Sequence, residues 1–194
     1  MRAIIASHNQ HKIQEISELF AATDFEVAGL DALGFYDEIK EDQDSFIGNA
    51  RLKAQTVASF FPNDLVIADD SGFSVKALKM GPGIHSARFL GEEASDQSRN
   101  LKILELLEGE TDRRACFTCA IALVYQNQWV DFQEEVFGHV SENIQGKQGF
   151  GYDPIFIPEG YQQTFAQIPN VKAQISHRAK AFRKVAQYVA FFYS

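Results

Sequence analysis

Apolar positions along the chain recur at two spacings, and each switch between them marks a new element. Residues 2–6 read as a strand and 10–20 as a helix, with Ile13, Ile16, Leu19 and Phe20 on one face. Residues 26–30 predict a short strand. The acidic stretch 31–44 predicts a loop, and Ser45 caps a second helix. Residues 65–68 and 73–78 predict two strands flanking an acidic Asp69-Asp70-Ser71-Gly72 turn, with a tight turn at 80–83. Residues 95–107 repeat as an amphipathic helix with Leu101, Leu104 and Leu107 inward. Residues 115–125 and 129–140 predict a long hairpin closed by Gln126-Asn127-Gln128. A Gly-rich loop, 146–153, leads to a short strand at 154–157. The last helix starts near Ser176 and is expected to bury Ala179, Phe182, Val185, Val189 and Phe192. Strands interleaved with helices, plus one long hairpin, predict an α/β fold with a mixed sheet.

Several positions break these local rules. Asp69 and Asp70 put two like charges at the end of an apolar run, where open α/β sheets place their ligands. The pair reads either as a solvated corner or as a site for a divalent ion such as Mg²⁺, which takes one or two carboxylates plus phosphate oxygens. Glu41, just before the second helix, is a candidate second ligand or a solvated acid. The loop Ser7, His8, Asn9, Gln10, His11 and Lys12 leaves a strand and opens a helix, so its free amides form an anion site or a simple cap. Lys12 opposes the helix dipole there unless an anion offsets it. No Walker pattern is present, and His8 and His11 lack a third metal ligand nearby.

On the second helix, Lys53 falls inside the stripe of Phe46, Ala50, Val57 and Phe61, with Asn49 on its shoulder. It either snorkels to water or reaches an anionic site. Phe150 lies between Gly149 and Gly151, with Tyr152 and Asp153 following. That framing leaves the ring open to a planar group, or makes it a buried plug. His177 and Arg178 occupy the first turn of the last helix, where the dipole disfavours cations, and Lys172 lies just upstream.

Composition narrows the field. The chain has 194 residues, 45% of them hydrophobic, enough for one domain spanning 1–194. Its 26 acidic against 18 basic residues give a formal charge of −8, which argues against a nucleic-acid partner. The opening apolar run is too short for a signal peptide and no membrane-length run follows, so a soluble, cytoplasmic protein with no membrane partner is expected. Cys116 and Cys119, three apart on a strand, point to opposite faces and cannot chelate together.

Six motifs then meet in order: Ser7-x-Asn9-x-x-Lys12, Phe46-x-x-Asn49-Ala50-x-x-Lys53-Ala54, Ala68-Asp69-Asp70-Ser71-Gly72, Gly81-Pro82-Gly83-Ile84-x-Ser86-Ala87-Arg88, Gly149-Phe150-Gly151-Tyr152-Asp153-Pro154-Ile155-Phe156 and Ile175-Ser176-His177-Arg178. Together they resemble the inosine triphosphate pyrophosphatase family, also called noncanonical purine NTP pyrophosphatases or XTP/dITP diphosphatases. The resemblance implies an elongated mixed-sheet α/β fold, a homodimer, and Mg²⁺-dependent hydrolysis of ITP, dITP, XTP and dXTP to monophosphate and pyrophosphate. It implies Asp70 as general base and metal ligand, with Glu41 as the other ligand. Ser7 to Lys12, Lys53 and Ser71 then match triphosphate positions. Phe150, Gly151, Tyr152, Asp153, Lys172, His177 and Arg178 match contacts to base and sugar. Two departures stand out: Lys40-Glu41 where many members have two acids, and Gln167 where many have Glu. A Maf-like pyrophosphatase with another base preference, or a sensor that holds Mg-NTP without cutting it, are the alternatives.

Overall fold

A computed structural model describes residues 2–20 and 25–192. Within helix 10–20 the side chains of His11, Glu15 and Leu19 lie outside the described set, and with them the expectations placed on His11 and Leu19. Strand β1 (Arg2–Ile5) pairs in parallel with β2 (Glu26–Gly29) and with β3 (Leu65–Val75), aligning Ile5 with Gly29 and with Ile67. Strand β4 (Gly81–Gly83) runs antiparallel to the far end of β3, pairing Phe73 with Gly83. The hairpin comprises β5 (Arg114–Tyr125) and β6 (Gln128–Val140), and β7 (Phe156–Pro158) lies antiparallel to β6. The strand order is β2-β1-β3-β5-β6-β7. The helices are α1 (Gln10–Phe20), α2 (Phe46–Phe60), α3 (Asp96–Leu106), α4 (Pro169–Ile175) and α5 (His177–Phe192).

The chain divides into two compact units. The first holds residues up to Asp70, Cys119–Gln133 and the chain from Lys180 on; the second holds Ser71–Thr118 and Glu134–Ala179. In the first unit the period-2 pattern of the strands feeds two apolar layers. Ala3, Ile5, Leu65, Ile67, Cys119 and Ile121 pack with Ile16 and Phe20 of α1 and Phe182, Val185 and Val189 of α5. The opposite sheet face presents Ile4, Val66, Ala68 and Ala122 to Ala50, Ala54 and Val57 of α2. The second unit has an aromatic core, with Phe73, Phe117, Tyr152, Phe156 and Phe165 around Ile103 and Leu107. Full burial of one such ring contributes about 2 kcal/mol.

Several expectations need correction, among them the strand at 154–157, which begins only at Phe156 after a 3-10 turn over Asp153–Ile155. The Asp69 to Gly72 segment is no turn: β3 runs unbroken through it, and Lys76–Leu78 forms a 3-10 turn after the strand. Residues 81–83 form β4 rather than a tight turn. Leu101 is 53% exposed, because the inward stripe of α3 follows Arg99, Asn100 and Ile103 and ends on Leu107. Phe192 is 59% exposed, since it lies past Val189 at the end of α5, where it packs on Tyr188 and Phe191. Short helix α4, absent from the sequence reading, begins at Pro169, a residue suited to a first helical turn. The hairpin turn forms as expected, with Gln126 and Asn127 at φ 48° and 64°. Cys116 and Cys119 are buried thiols, not joined in a disulfide, on opposite faces of β5.

Candidate functional site

Each unit gathers its own group of polar side chains. In the first, the amide of Ala6 bonds the carbonyl of Ile67 (2.8 Å), so the loop after β1 leaves the sheet beside the Asp69–Asp70 end of this stretch of β3. Asn9 caps α1, its Oδ1 accepting from the Lys12 amide (3.2 Å), and Ser7 Oγ accepts from the Asn9 amide (3.1 Å). Lys12 Nζ then reaches Asp69 Oδ2 at 2.8 Å, so the anion that offsets this cation in the first helical turn is a strand carboxylate. Ser45 caps α2 by accepting from the Gly48 amide. With the helix start thus fixed, Asn49 and Lys53, four residues apart, project together. Asn49 Nδ2 donates to Asp70 Oδ2 (3.0 Å) while its Oδ1 accepts from the Gln43 amide (3.0 Å), tying the acidic loop to the strand. Lys53 Nζ sits 2.5 Å from Glu41 Oε1.

Asp69 and Asp70 are 2% and 6% exposed, which excludes the solvated-corner reading. Burial is the largest influence on Asp70 and pushes its carboxyl above the usual range, against the pull of Lys53 and the Asn49 hydrogen bond. For Lys53 burial acts to lower the pKa, but Asp69, Glu41 and Asp70 together hold it above the ordinary lysine value. A cleft of about 450 Å³ opens over this cluster, lined among others by Ser7, His8, Lys12, Tyr36, Glu41 and Lys53. His8 and Gln10 are turned toward Asp31, at 2.6 and 2.9 Å, and the His8 ring stacks with Tyr36. Among the described residues no three His, Cys, Asp or Glu side chains converge as a metal cage. The all-oxygen donors Glu41 and Asp70 suit a hard cation that completes its shell with water and phosphate.

The second unit builds a different surface. Asp153 Oδ2 accepts the Phe150 amide (2.9 Å) and the Lys172 ammonium (2.7 Å). Burial pushes the Asp153 carboxyl up, opposed by Lys172, the Phe150 amide and Arg178. Lys172 Nζ and Arg178 Cζ lie 4.7 and 5.3 Å from the centre of the Phe150 ring, which is 37% exposed. Ser176 caps α5 by accepting from the Ala179 amide (3.1 Å), presenting His177 and Arg178 in the first turn. Both are buried, and His177 lies flat on Phe117 at 4.7 Å. Tyr152 is a core residue: its ring stacks on Phe73 and its hydroxyl donates to the Ser86 carbonyl (2.9 Å). Gly149 has φ 80°, and a Cβ there would run into the Asp153 carboxylate. Ser71 follows Asp70 in β3 and is half-buried in this unit.

Sequence reasoning singled out Lys12, Glu41, Lys53 and Asp70, which the structure gathers in one cluster, and Phe150, Asp153, Lys172 and Arg178, which it gathers in the other. It missed Asp31, which orients the first loop, and Asp96 and Asn100, which bind the second. A polar residue on the inward stripe of an amphipathic helix was the available signal for Asn100, while exposed Asp96 carried none. A further hollow, lined by Thr111, Asp112, Arg113, Arg114 and His139, has its cations engaged already. Arg114 pairs with Asp112, and Arg113 donates to the carbonyls of Leu107, Val140 and Ser141.

Residues 3–188 match the model of the Ham1 family. The chain is 40% identical over 189 residues to the dITP/XTP pyrophosphatase of Bacillus subtilis, covering 95% of each chain. It is 38% identical over 197 residues to the dITP/XTP pyrophosphatase of Desulforamulus reducens, covering 100% of this chain and 98% of the other. Among solved structures, the Ham1 protein of Staphylococcus aureus superposes with a TM-score of 0.91 at 37% identity, covering 98% of this chain and 99% of that one. A HAM1 protein from Coxiella burnetii gives 0.92 at 34% identity, with the same coverage.

Proposed function

The chain belongs to the Ham1 family, and from that premise we propose that it hydrolyses noncanonical purine nucleoside triphosphates, ITP, dITP, XTP and dXTP, to the monophosphate and pyrophosphate. The supporting observation is the buried Asp69-Asp70 step of β3, with Lys12 on one carboxylate and Asn49 on the other. Two adjacent buried acids held this way form a site for charge exchange rather than a structural filler.

Water attacks the α-phosphorus as the bond to the bridging oxygen breaks and pyrophosphate leaves. Asp70, whose burial raises its proton affinity, orients that water and takes its proton. Lys12 and Lys53 move from their carboxylates to phosphate oxygens, and Ser7, Asn9 and Ser71 add hydrogen bonds. Mg²⁺, held by Glu41 and Asp70, would neutralise charge on the leaving group. In the second unit Phe150 offers a ring face to the purine, and the His177–Arg178 turn supplies donors for O6. Adenine carries a donor at that position, so donor would face donor, which can discriminate by about 10⁴-fold. The enzyme acts as a homodimer in this reading, which sedimentation checks.

The deciding experiment incubates the protein and Mg²⁺ with ITP, XTP, dITP, GTP, ATP, dTTP and UTP and measures pyrophosphate and orthophosphate separately. Pyrophosphate released from ITP, XTP and dITP is expected. Orthophosphate as first product, or preference for ATP or UTP, overturns the proposal.

A further inference from the structure

Helix α3 takes no part in the chemistry above, yet three polar residues near its start, exposed Asp96 and buried Arg99 and Asn100, act on the Phe150 loop and on each other. Asp96 Oδ2 accepts the Gly151 amide at 2.6 Å, and Asn100 Nδ2 donates to the Gly151 carbonyl at 2.9 Å. One turn of helix therefore grips both peptide groups flanking a single glycine, which itself adopts φ 61°. Arg99, between them, ties α3 to the preceding loop through the carbonyls of Phe89 (3.0 Å) and Gly91 (3.1 Å), and its Nη1 lies 3.3 Å from Asp96 Oδ1. Arg99 and Asn100 are 9% and 2% exposed, so the grip is buried at its base.

The consequence falls on Phe150. Its own amide is held by Asp153, and the peptide that follows it is held by Asp96. With the planes on both sides fixed, the Phe150 backbone has no remaining freedom and only the side-chain torsions are left to place the ring. Tyr152, on the far side of Gly151, is anchored in the core. The ring is thereby set against Lys172 and Arg178.

We infer that Asp96 and Asn100 are positioning residues that fix Phe150 as the platform for the base and so set the preference among purines. This rests on the function proposed above. Nothing in the chemistry of phosphate cleavage calls for them, so their effect falls on base binding and selectivity.

The test compares wild type with Asp96→Ala, Asp96→Asn and Asn100→Ala in steady-state kinetics with ITP and ATP, and in amide hydrogen exchange. In Asp96→Ala the Gly151 amide is expected to exchange about 30-fold faster, while β5 amides keep their protection, which certifies the fold. KM for ITP rises more than kcat falls, and the ITP-to-ATP ratio of kcat/KM drops about tenfold. Asp96→Asn keeps an acceptor for the amide and recovers most of the ratio; Asn100→Ala lowers it as Asp96→Ala does. Should wild type cleave ITP while all three variants keep its ratio, the positioning role is overturned and the function stands. The same holds if the variants lose kcat equally for both substrates. If wild type releases pyrophosphate from no noncanonical purine, the function itself fails and the inference falls with it.

Discussion

In the first cluster the cations meet carboxylates alone; in the second, Lys172 pairs with Asp153 but shares a ring with Arg178. Around Asp69 and Asp70 every named contact links opposite signs or an amide to a carboxylate: Lys12 to Asp69, Lys53 to Glu41, Asn49 to Asp70. Around Phe150 the cations Lys172 and Arg178 lie over an aromatic face, and the loop is held by bonds to its peptide groups. Ion pairs that line an open cleft can pass to a charged ligand, since Coulomb attraction is recovered with the new partner. A ring fixed by its own backbone cannot be traded; it can only be fitted. In the proposed reaction the first cluster therefore takes the group whose charge changes, and the second takes the flat base.

The contrast is broken most severely at Asp70. Asp70→Asn should lower kcat for ITP about 10³-fold while calorimetry finds ITP bound nearly as tightly; retained turnover would return the first cluster to a structural role. Next comes Lys172→Met, which leaves Asp153 buried with its largest opposing charge gone. Stability at pH 7 should fall by about 3 kcal/mol by urea titration. The folded carboxyl, already raised by burial, rises further, so its favourable contribution is present below about pH 4 and is lost as pH climbs through the folded value. The deficit should shrink between pH 7 and pH 4, and a constant deficit would show that packing of the lysine stem, not its charge, is what matters.

Arg178→Ala sharpens the comparison. Its expected effect is a fall of about 30-fold in the preference for ITP over ATP, with the pyrophosphate product unchanged. The smallest effect belongs to Ser45→Ala at the start of α2. Loss of that cap should cost about 1 kcal/mol of stability and leave the base preference untouched, as competition between ITP and ATP would reveal.

What was legible in the sequence divides along the same line. Helix α1, the Ser45 cap and the hairpin followed from spacing and turn residues, because local propensity and burial agree there. The place of Lys53 on an apolar stripe was also legible, while its choice between water and an anionic partner was not. The continuity of β3 was not: Asp-Asp-Ser-Gly has the composition of a turn, and only partners from α1 and α2 make a buried strand tolerable at Asp69 and Asp70. The α3 clamp was hidden for a related reason. Asp96 and Asn100 look like ordinary polar residues near a helix start, and their partner is Gly151, a residue with no side chain to advertise the contact.

The two buried thiols offer an independent clock on each unit. Cys119 belongs to the first unit and Cys116 to the second, although only two residues separate them in β5. They face opposite sides of the strand, too far apart to join, and burial holds the Cys116 thiol above its usual pKa, where little thiolate forms. An alkylating reagent then reads neither in the closed protein. Modification at each position, resolved by peptide mass, reports how often that half of the strand opens, so a single labelling time course compares the breathing of the two halves within one molecule.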